Sequence, residues 1–406
     1  MITVAQALEV ILDSVHPTDC VEEALLCDAL GGVLARDALA DMDFPPFHRA
    51  TMDGYAVISA DGPGDYEVVE DIPAGHYPAI PLSRGKVSKI MTGAPMPDGA
   101  DAVVPVEKTG GFVHVGQVAQ IIGQAAPGSN FSPRGEDMRS GDVAMAGGSV
   151  IRPAEVALLA SVGAEPCHIF RRPTLAALAT GDELVHPSRK PIQGQIRNSN
   201  GPTIMAMAAA MGITATNLGA AGDSPASLEE KIRLGMEHDF LIISGGVSAG
   251  DRDFVPEIAK KLGYRILFHK IRVKPGKPTL FAVSEKGRYL FGLPGNPVSS
   301  MVIFELFVRP ALLRFQGAPA ATMEVSARLE ATYRRKKADR EEYLPGRLFW
   351  KEGCFGAELA QYHGSGHFRA LTTANGLVTI PIGVFEAPKG SMVAARFLGD
   401  RITLCP

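Results

Sequence analysis

The stretch FLIISGGVSAGDRDFVPEIAKKLG, residues 240–263, decides the fold. Four apolar residues, Phe240 to Ile243, run through Ser244 into a glycine-rich turn and then into helical periodicity, a strand–loop–helix unit. The unbroken apolar run fits a strand covered on both faces of a parallel sheet. Outward from it the same text repeats. TLAALAT, ITATNLG, RILFHKI and the hairpin TLFAV/YLFGL read as strands, and TIMAMAAAM, SPASLEEKIRLGM and VSSMVIFELFVRPALLRF read as helices. Strands alternating with helices of this length predict βαβ units on a mainly parallel, doubly wound sheet over residues 173–317. Ser224 as N-cap with Pro225 at the first helical position fixes one helix start.

Towards the N-terminus, Thr3 and Gln6 have capping-box spacing before Val4, Leu8, Ile11, Leu12 and Val15, an amphipathic helix. RPAEVALLASVG restores helical periodicity near residue 153, so residues 1–43 and 150–172 are expected to form one discontinuous helical linker unit. Between them, over residues 44–149, short apolar runs broken by GPGD, MPDG, KTGG and RGED predict an inserted β-rich module. Residues 318–406 read as short strands and turns, a small closing β-domain, in which RRKK at 334–337 is expected to be an exposed turn.

Composition narrows the function. With 406 residues, 40 Lys+Arg and 44 Asp+Glu, the formal charge of −4 argues against a dedicated nucleic-acid binder. No apolar run is long enough for a membrane helix. The five cysteines, Cys20, Cys27, Cys167, Cys354 and Cys405, have no metal or disulfide spacing, and a reducing cytoplasm is expected.

In an open α/β sheet the ligand sits beyond the carboxyl ends of the strands. Four strand-end loops carry unusual residues: Gly181-Asp182-Glu183, Gly222-Asp223, the loop from Ser244 to Asp253, and Pro294-Gly-Asn-Pro-Val-Ser299. All four are expected on one edge. Ser244, Gly245, Gly246, Ser248 and Gly250 suit a phosphate cradle, because glycines allow close backbone approach and the following helix start favours an anion. Glu183, Asp223 and Asp253 would crowd carboxylates there, which a hard cation such as Mg²⁺ would relieve. Residues 269–278, HKIRVKPGKP, place four cations beside two prolines. Lys270, Arg272 and Lys274 alternate as on one strand face, and Lys277 follows in a rigid turn, a nest for an oxyanion. In the β-module, Asp53, Thr92 and Asp137 sit in polar turns. Neither a P-loop nor a nucleophile elbow occurs.

Taken in order, ATMDGYAV, IMTGAPMPDGADAVVPVE, RGED, ATGDELV, ISGGVSAGDRDFV, VKPGKPTLF and FGLPGNPVSS resemble the MoeA family of molybdopterin molybdenumtransferases, which includes the E domain of gephyrin. The resemblance spans nearly the whole chain. It implies a MogA-like α/β domain, a C-terminal β-barrel, and the last step of molybdenum cofactor synthesis: Mg²⁺-dependent cleavage of adenylylated molybdopterin with insertion of molybdate and release of AMP. It further implies catalytic roles for Asp53, Asp137, Glu183, Asp223 and Asp253, the last three as metal ligands. Substrate contacts would come from Thr92, Lys270, Pro294, Pro297 and the 244–250 loop, and molybdate contacts from Lys274, Lys277, Ser299, Arg347 and Ser365. Family members resemble one another as homodimers with the site between chains, with transient contacts to the preceding adenylyltransferase and to molybdoenzyme apoproteins. His367-Phe-Arg-Ala370 departs from the family's small, Ser-rich continuation. The rivals are an adenylyltransferase, a receptor-binding scaffold and a molybdate store; the first lacks the TMDGYA and RGED motifs and the last needs no phosphate loop.

Overall fold

The computed structural model describes residues 1–247, 254–320, 324–361, 364 and 366–398. Numbering along the chain from residue 175, the strands used below are β1 (Leu175–Thr180), β2 (Ala215–Ala221), β3 (Phe240–Ser244), β4 (Tyr264–Phe268), β5 (Val273–Lys274), β6 (Leu280–Ser284) and β7 (Tyr289–Leu293). Six of them form one sheet in the order β2-β1-β3-β7-β6-β4. β2, β1, β3 and β7 run parallel, and β6 returns antiparallel to β7, as the hairpin reading expects.

Alternation divides each central strand between two cores. Phe240, Ile242 and Phe291 face one cluster, and Leu241, Ile243 and Leu290 face the other. Every residue of β1, β3 and β7 is buried, which accounts for their unbroken apolar text. The helix Pro225–Gly235 starts at Ser224, whose hydroxyl accepts the Ser227 amide. The long apolar helix near the end of this unit is interrupted by a π-helical turn over Phe304–Val308, immediately before Arg309-Pro310. Proline has no N–H for the ladder, and a π-turn absorbs the missing bond.

The helix Val4–Ser14 has the expected capping box, Thr3 with Gln6. Its apolar stripe, Val4, Ala7 and Ile11, packs into the α/β core rather than onto the 150–172 segment, because that core offers the larger apolar surface. Other residues of the two flanks pack on one another, together with Met145. Val21–Ala24 pairs antiparallel with Cys167–Phe170, and Leu26, Leu34, Leu159 and Ile169 share a small core. The β-rich module is built on a five-stranded sheet from Gly54–Val57, Gly64–Ile72, Lys86–Ile90, Ala102–Pro105 and Val118–Ile121, with two apolar clusters of its own. The apolar run FVHV at residues 112–115 forms no strand.

Towards the C-terminus, β8 (Glu324–Leu329), β9 (Glu341–Lys351), β10 (Cys354–Leu359), β11 (Gly376–Ile380) and β12 (Met392–Phe397) close on themselves. β9 pairs with β10 and β11, β10 with β8, β8 with β12, and β12 with β11, a five-stranded barrel around Leu329, Leu344, Leu348, Val378 and Phe397. β5 leaves the α/β unit and adds parallel to β9, with Lys274 opposite Glu342. The alternation of Lys270, Arg272 and Lys274 therefore does not make one strand face. Only Val273–Lys274 is strand, since Pro275 and Pro278 withdraw ladder donors on one side and the Ile271 amide turns to the Lys277 carbonyl.

At the amino edge of the sheet a buried carboxylate holds three elements. Asp239 accepts from the Thr174 amide (2.8 Å) and hydroxyl (3.0 Å) and from Arg171 (2.8 Å), and pairs with Arg288. Burial alone would raise its pKa, but the donors from Arg171 and Thr174 outweigh it and hold the carboxyl below its ordinary range. Asp239→Asn is expected to lower stability by about 2 kcal/mol at neutral pH, read from the urea unfolding midpoint. Because the folded pKa is depressed, the carboxylate's contribution is complete above roughly pH 4 and is lost as pH falls through the folded value. The gap between wild type and variant should close under strong acid.

Candidate active site

The parallel registers bring the strand ends together. Thr180 pairs with Ala221, Ala179 with Ser244, and Ser244 with Leu293, so the loops beginning at Gly181, Gly222, Gly245 and Pro294 leave one edge, as expected from the sequence. Behind this edge lies a cleft of about 390 Å³ walled by Thr180, Glu183, Asn200, Gly245, Pro294 and Pro297. Gly245 (φ +97°) and Gly246 (φ +64°) lie against Thr180, where an added Cβ would meet its Oγ1 at 2.6 and 2.9 Å. The Thr180 hydroxyl is buried and has no hydrogen-bond partner among the described residues. Ser244 accepts from the Asn200 side-chain amide (2.6 Å), which also donates to the Gly295 carbonyl (2.6 Å), locking the 244 and 294 loops to one helix start.

The acids divide. Glu183 lines the cleft, while Asp223 is half-buried outside its wall, its amide donating to the Asp182 carboxylate at 2.9 Å. Asp253, Ser248 and Gly250 lie outside the described residues. Among the described residues no group of three His, Cys, Asp or Glu gathers as a metal site. The residues that the sequence reading missed are Asn198, Asn200 and Thr180. Asn198 accepts the Gly201 amide at 3.0 Å. An Asn-Ser-Asn run opening a helix was the available signal.

A second cavity, of about 750 Å³, adjoins the first and shares Pro278, Pro294 and Asn296 with it. It lies between the α/β unit and the barrel, walled by Lys274, Lys277, Ser299, Arg340 and Glu342. Lys274 Nζ is 2.6 Å from Glu342 Oε1. Lys277 is exposed and has no ion pair among the described residues, and Ser299 is buried. Lys270 is exposed and lines neither cavity. Arg347 lies over the Phe349 ring, 5.8 Å from its centroid, and is also absent from both walls. Ser365 lies outside the described residues, and Arg369 is exposed. The expected exposed turn at 334–337 is corrected in two residues: Arg334 is strand, paired antiparallel with Glu386, and the Arg335 side chain is 3% exposed and pairs with Glu342 at 3.2 Å. A buried counter-ion from a distant strand overrides the solvation of a basic run.

In the β-module, Asp53 accepts both the amide and the hydroxyl of Thr92 at 2.6 Å. These bonds hold the exposed carboxyl below its ordinary pKa. Pairing of Arg49–Ala50 with Phe131–Ser132, and the Gly93 amide bond to Ala50, bring the turns of Asp53, Thr92 and Asp137 onto one laced segment. Asp137 is exposed, its amide bonded to the Phe44 carbonyl.

Gly245→Ala tests the close approach at the cleft. Its Cβ would also meet the Thr180 carbonyl at 2.8 Å, in backbone that favours glycine. A loss of about 2–3 kcal/mol is expected, read as a lowered thermal midpoint. Adding Thr180→Ala should recover only part of it, because the carbonyl conflict and the positive φ remain.

Sequence models match the chain in three blocks: the MoeA N-terminal region (domain I and II) at residues 2–163, a probable molybdopterin binding domain at 176–314, and the MoeA C-terminal region (domain IV) at 327–398. A curated molybdopterin molybdenumtransferase of Staphylococcus epidermidis is 33% identical over 377 residues, covering 91% of this chain and 89% of that protein. A relative of the same name from Staphylococcus aureus is 36% identical over 325 residues, covering 78% and 76%. The crystal structure of the molybdopterin biosynthesis MoeA protein from Pyrococcus horikosii superposes with a TM-score of 0.80 at 31% identity, covering 99% of this chain and 100% of that one. With its strand-edge cleft, closed barrel and inserted β-module matched from end to end, the chain belongs to the MoeA family of transferases.

Proposed function

We propose that this protein is a molybdopterin molybdenumtransferase that cleaves adenylylated molybdopterin and transfers molybdate to its dithiolene, releasing AMP and molybdenum cofactor. The observation that carries this reading is the shared wall of Pro278, Pro294 and Asn296 between a polar strand-edge cleft and a cationic cavity. One substrate is an adenylate with a pyrophosphate, and the other is a compact dianion. Two adjoining sites, one with a close backbone approach at the strand edge and one lined by lysines, suit such a pair.

In the cleft, the glycine backbone at 245–246, packed against Thr180, offers close contacts to phosphate oxygens. Glu183 in the cleft wall is a hard oxygen donor, with Asp223 at the same edge outside it, and Glu183 with substrate phosphates would suit Mg²⁺, which takes one or two protein carboxylates. When bound, the ion would neutralise charge developing on the phosphoryl oxygens. The chain's own residues fix the pyrophosphate against the sheet edge, and Asn200 holds the two flanking loops at constant separation. In the cationic cavity, Lys274, Lys277 and Ser299 supply an ammonium pair and a hydroxyl for a tetrahedral oxyanion.

Asp53, Thr92 and Asp137 belong to a module with its own core, apart from the cores beneath the cleft. We assign them to the site of a second copy, in a homodimer whose β-modules each complete the partner's cleft. Arg347 and Lys270, away from both cavity walls, have no part in this scheme.

The test is AMP release from adenylylated molybdopterin with Mg²⁺, with and without molybdate. Molybdate-dependent release with cofactor formation is expected; tight binding with no release under any condition contradicts the transferase. Asp53→Asn and Glu183→Gln should each cut release by about 10²-fold or more. Mixing the two inactive variants should restore about a quarter of wild-type activity, since random exchange yields half heterodimers with one intact site each. Absence of rescue despite verified subunit exchange would place both residues in one chain's site.

A further inference from the structure

The cationic cavity carries its own counter-ion. Glu342, 1% exposed, faces Lys274 across the β5–β9 register, with Oε1 2.6 Å from Lys274 Nζ. Its other oxygen, Oε2, is taken by Arg335 at 3.2 Å. Arg335 is itself pinned, donating to the carbonyls of Val384 (2.7 Å), Arg340 (2.9 Å) and Pro381. The carboxylate therefore cannot swing away: one end is anchored in the barrel and the other holds the lysine of the α/β unit. Lys277, across the same cavity, has no ion pair among the described residues.

We propose that Glu342 is a positioning residue that acts as a built-in competitor for the oxyanion, sharing Lys274 with it and so weakening its hold on the cavity. The inference rests on the reading that this cavity takes a tetrahedral oxyanion. Two unshielded lysines would trap a dianion, whereas a transfer site must give it up to the acceptor. A fixed carboxylate at contact distance from one lysine repels the incoming anion while keeping the ammonium in place. Lys277 then supplies the uncompensated attraction and Lys274 the shared one. Because β5 belongs to one unit and β9 to the other, the same contact makes the affinity depend on how the barrel seats against the sheet.

The experiment is direct binding of molybdate, by calorimetry or equilibrium dialysis at fixed ionic strength, without the pterin substrate. Glu342→Gln keeps the shape and an acceptor for Arg335 but removes the charge. It should bind molybdate about tenfold more tightly or better, the scale of removing a like charge at close range in a partly solvated site. The gain should vanish in a Lys274→Ala background, which a purely structural role for Glu342 would not produce. Glu342→Asp retains the charge for Arg335 and withdraws it from Lys274 by one methylene, so it should show a smaller gain of the same sign, and it decides the matter if the glutamine variant does not fold. Unchanged or weaker binding in folded variants, or a gain that persists without Lys274, would overturn the inference while leaving the anion cavity standing. No binding of molybdate by the wild type would overturn the anion reading and the inference together.

Discussion

Everything functional in this protein depends on one constraint, the parallel pairing of β1, β2, β3 and β7. Parallel strands must be joined by crossovers, so each ends on the same edge and hands its chain to a loop there. Thr180, Ala221, Ser244 and Leu293 finish within a residue of one another in register. Four sequence-distant turns therefore meet. The strands themselves are held by apolar alternation into two cores, and at the far edge by the Asp239 cluster. The site edge is left free of such ties, and its polar groups are held instead by side-chain bonds such as those of Asn200 and Asp182.

The second constraint is the union of the α/β unit with the barrel through β5 and β9. Strand addition fixes register residue by residue, so Lys274 meets Glu342 rather than a neighbour. The cationic cavity is thus a property of an interface between two packing units, and Glu342 with Arg335 gives that interface a buried polar core. The β-module stands on its own clusters, which is why its acids are assigned to the partner's cleft.

Much of this was legible in the sequence, for local reasons. FLIIS, LAALAT and YLFGL are unbroken apolar runs because both faces are covered, and the capping pairs at Thr3 and Ser224 are short-range hydrogen bonds written in adjacent residues. The strand-end glycines and Glu183 could be found because an α/β topology says where to look. Other features were not legible, because their cause lies far along the chain. Arg335 reads as part of a solvated basic run until Glu342 is placed beside it. The first helix reads as part of the linker because sequence proximity cannot reveal that its stripe fits the α/β core. Asn200 was overlooked because a helix-start asparagine is ordinarily a cap, whereas here its side chain bonds Ser244 and Gly295, 44 and 95 residues away. Lys270 and Arg272 alternate with Lys274 in sequence, but prolines and a carbonyl turn shorten the strand they would have shared.

The central claim is that two adjoining cavities divide the substrates between them. The most direct test is a crystal structure of the protein with adenylylated molybdopterin and molybdate. The account predicts the pyrophosphate against Gly245 and Thr180 and the oxyanion between Lys274 and Lys277, with the pterin spanning the wall of Pro278, Pro294 and Asn296. Density for the adenylate away from the strand edge, or for the oxyanion outside the cavity between sheet and barrel, would contradict it.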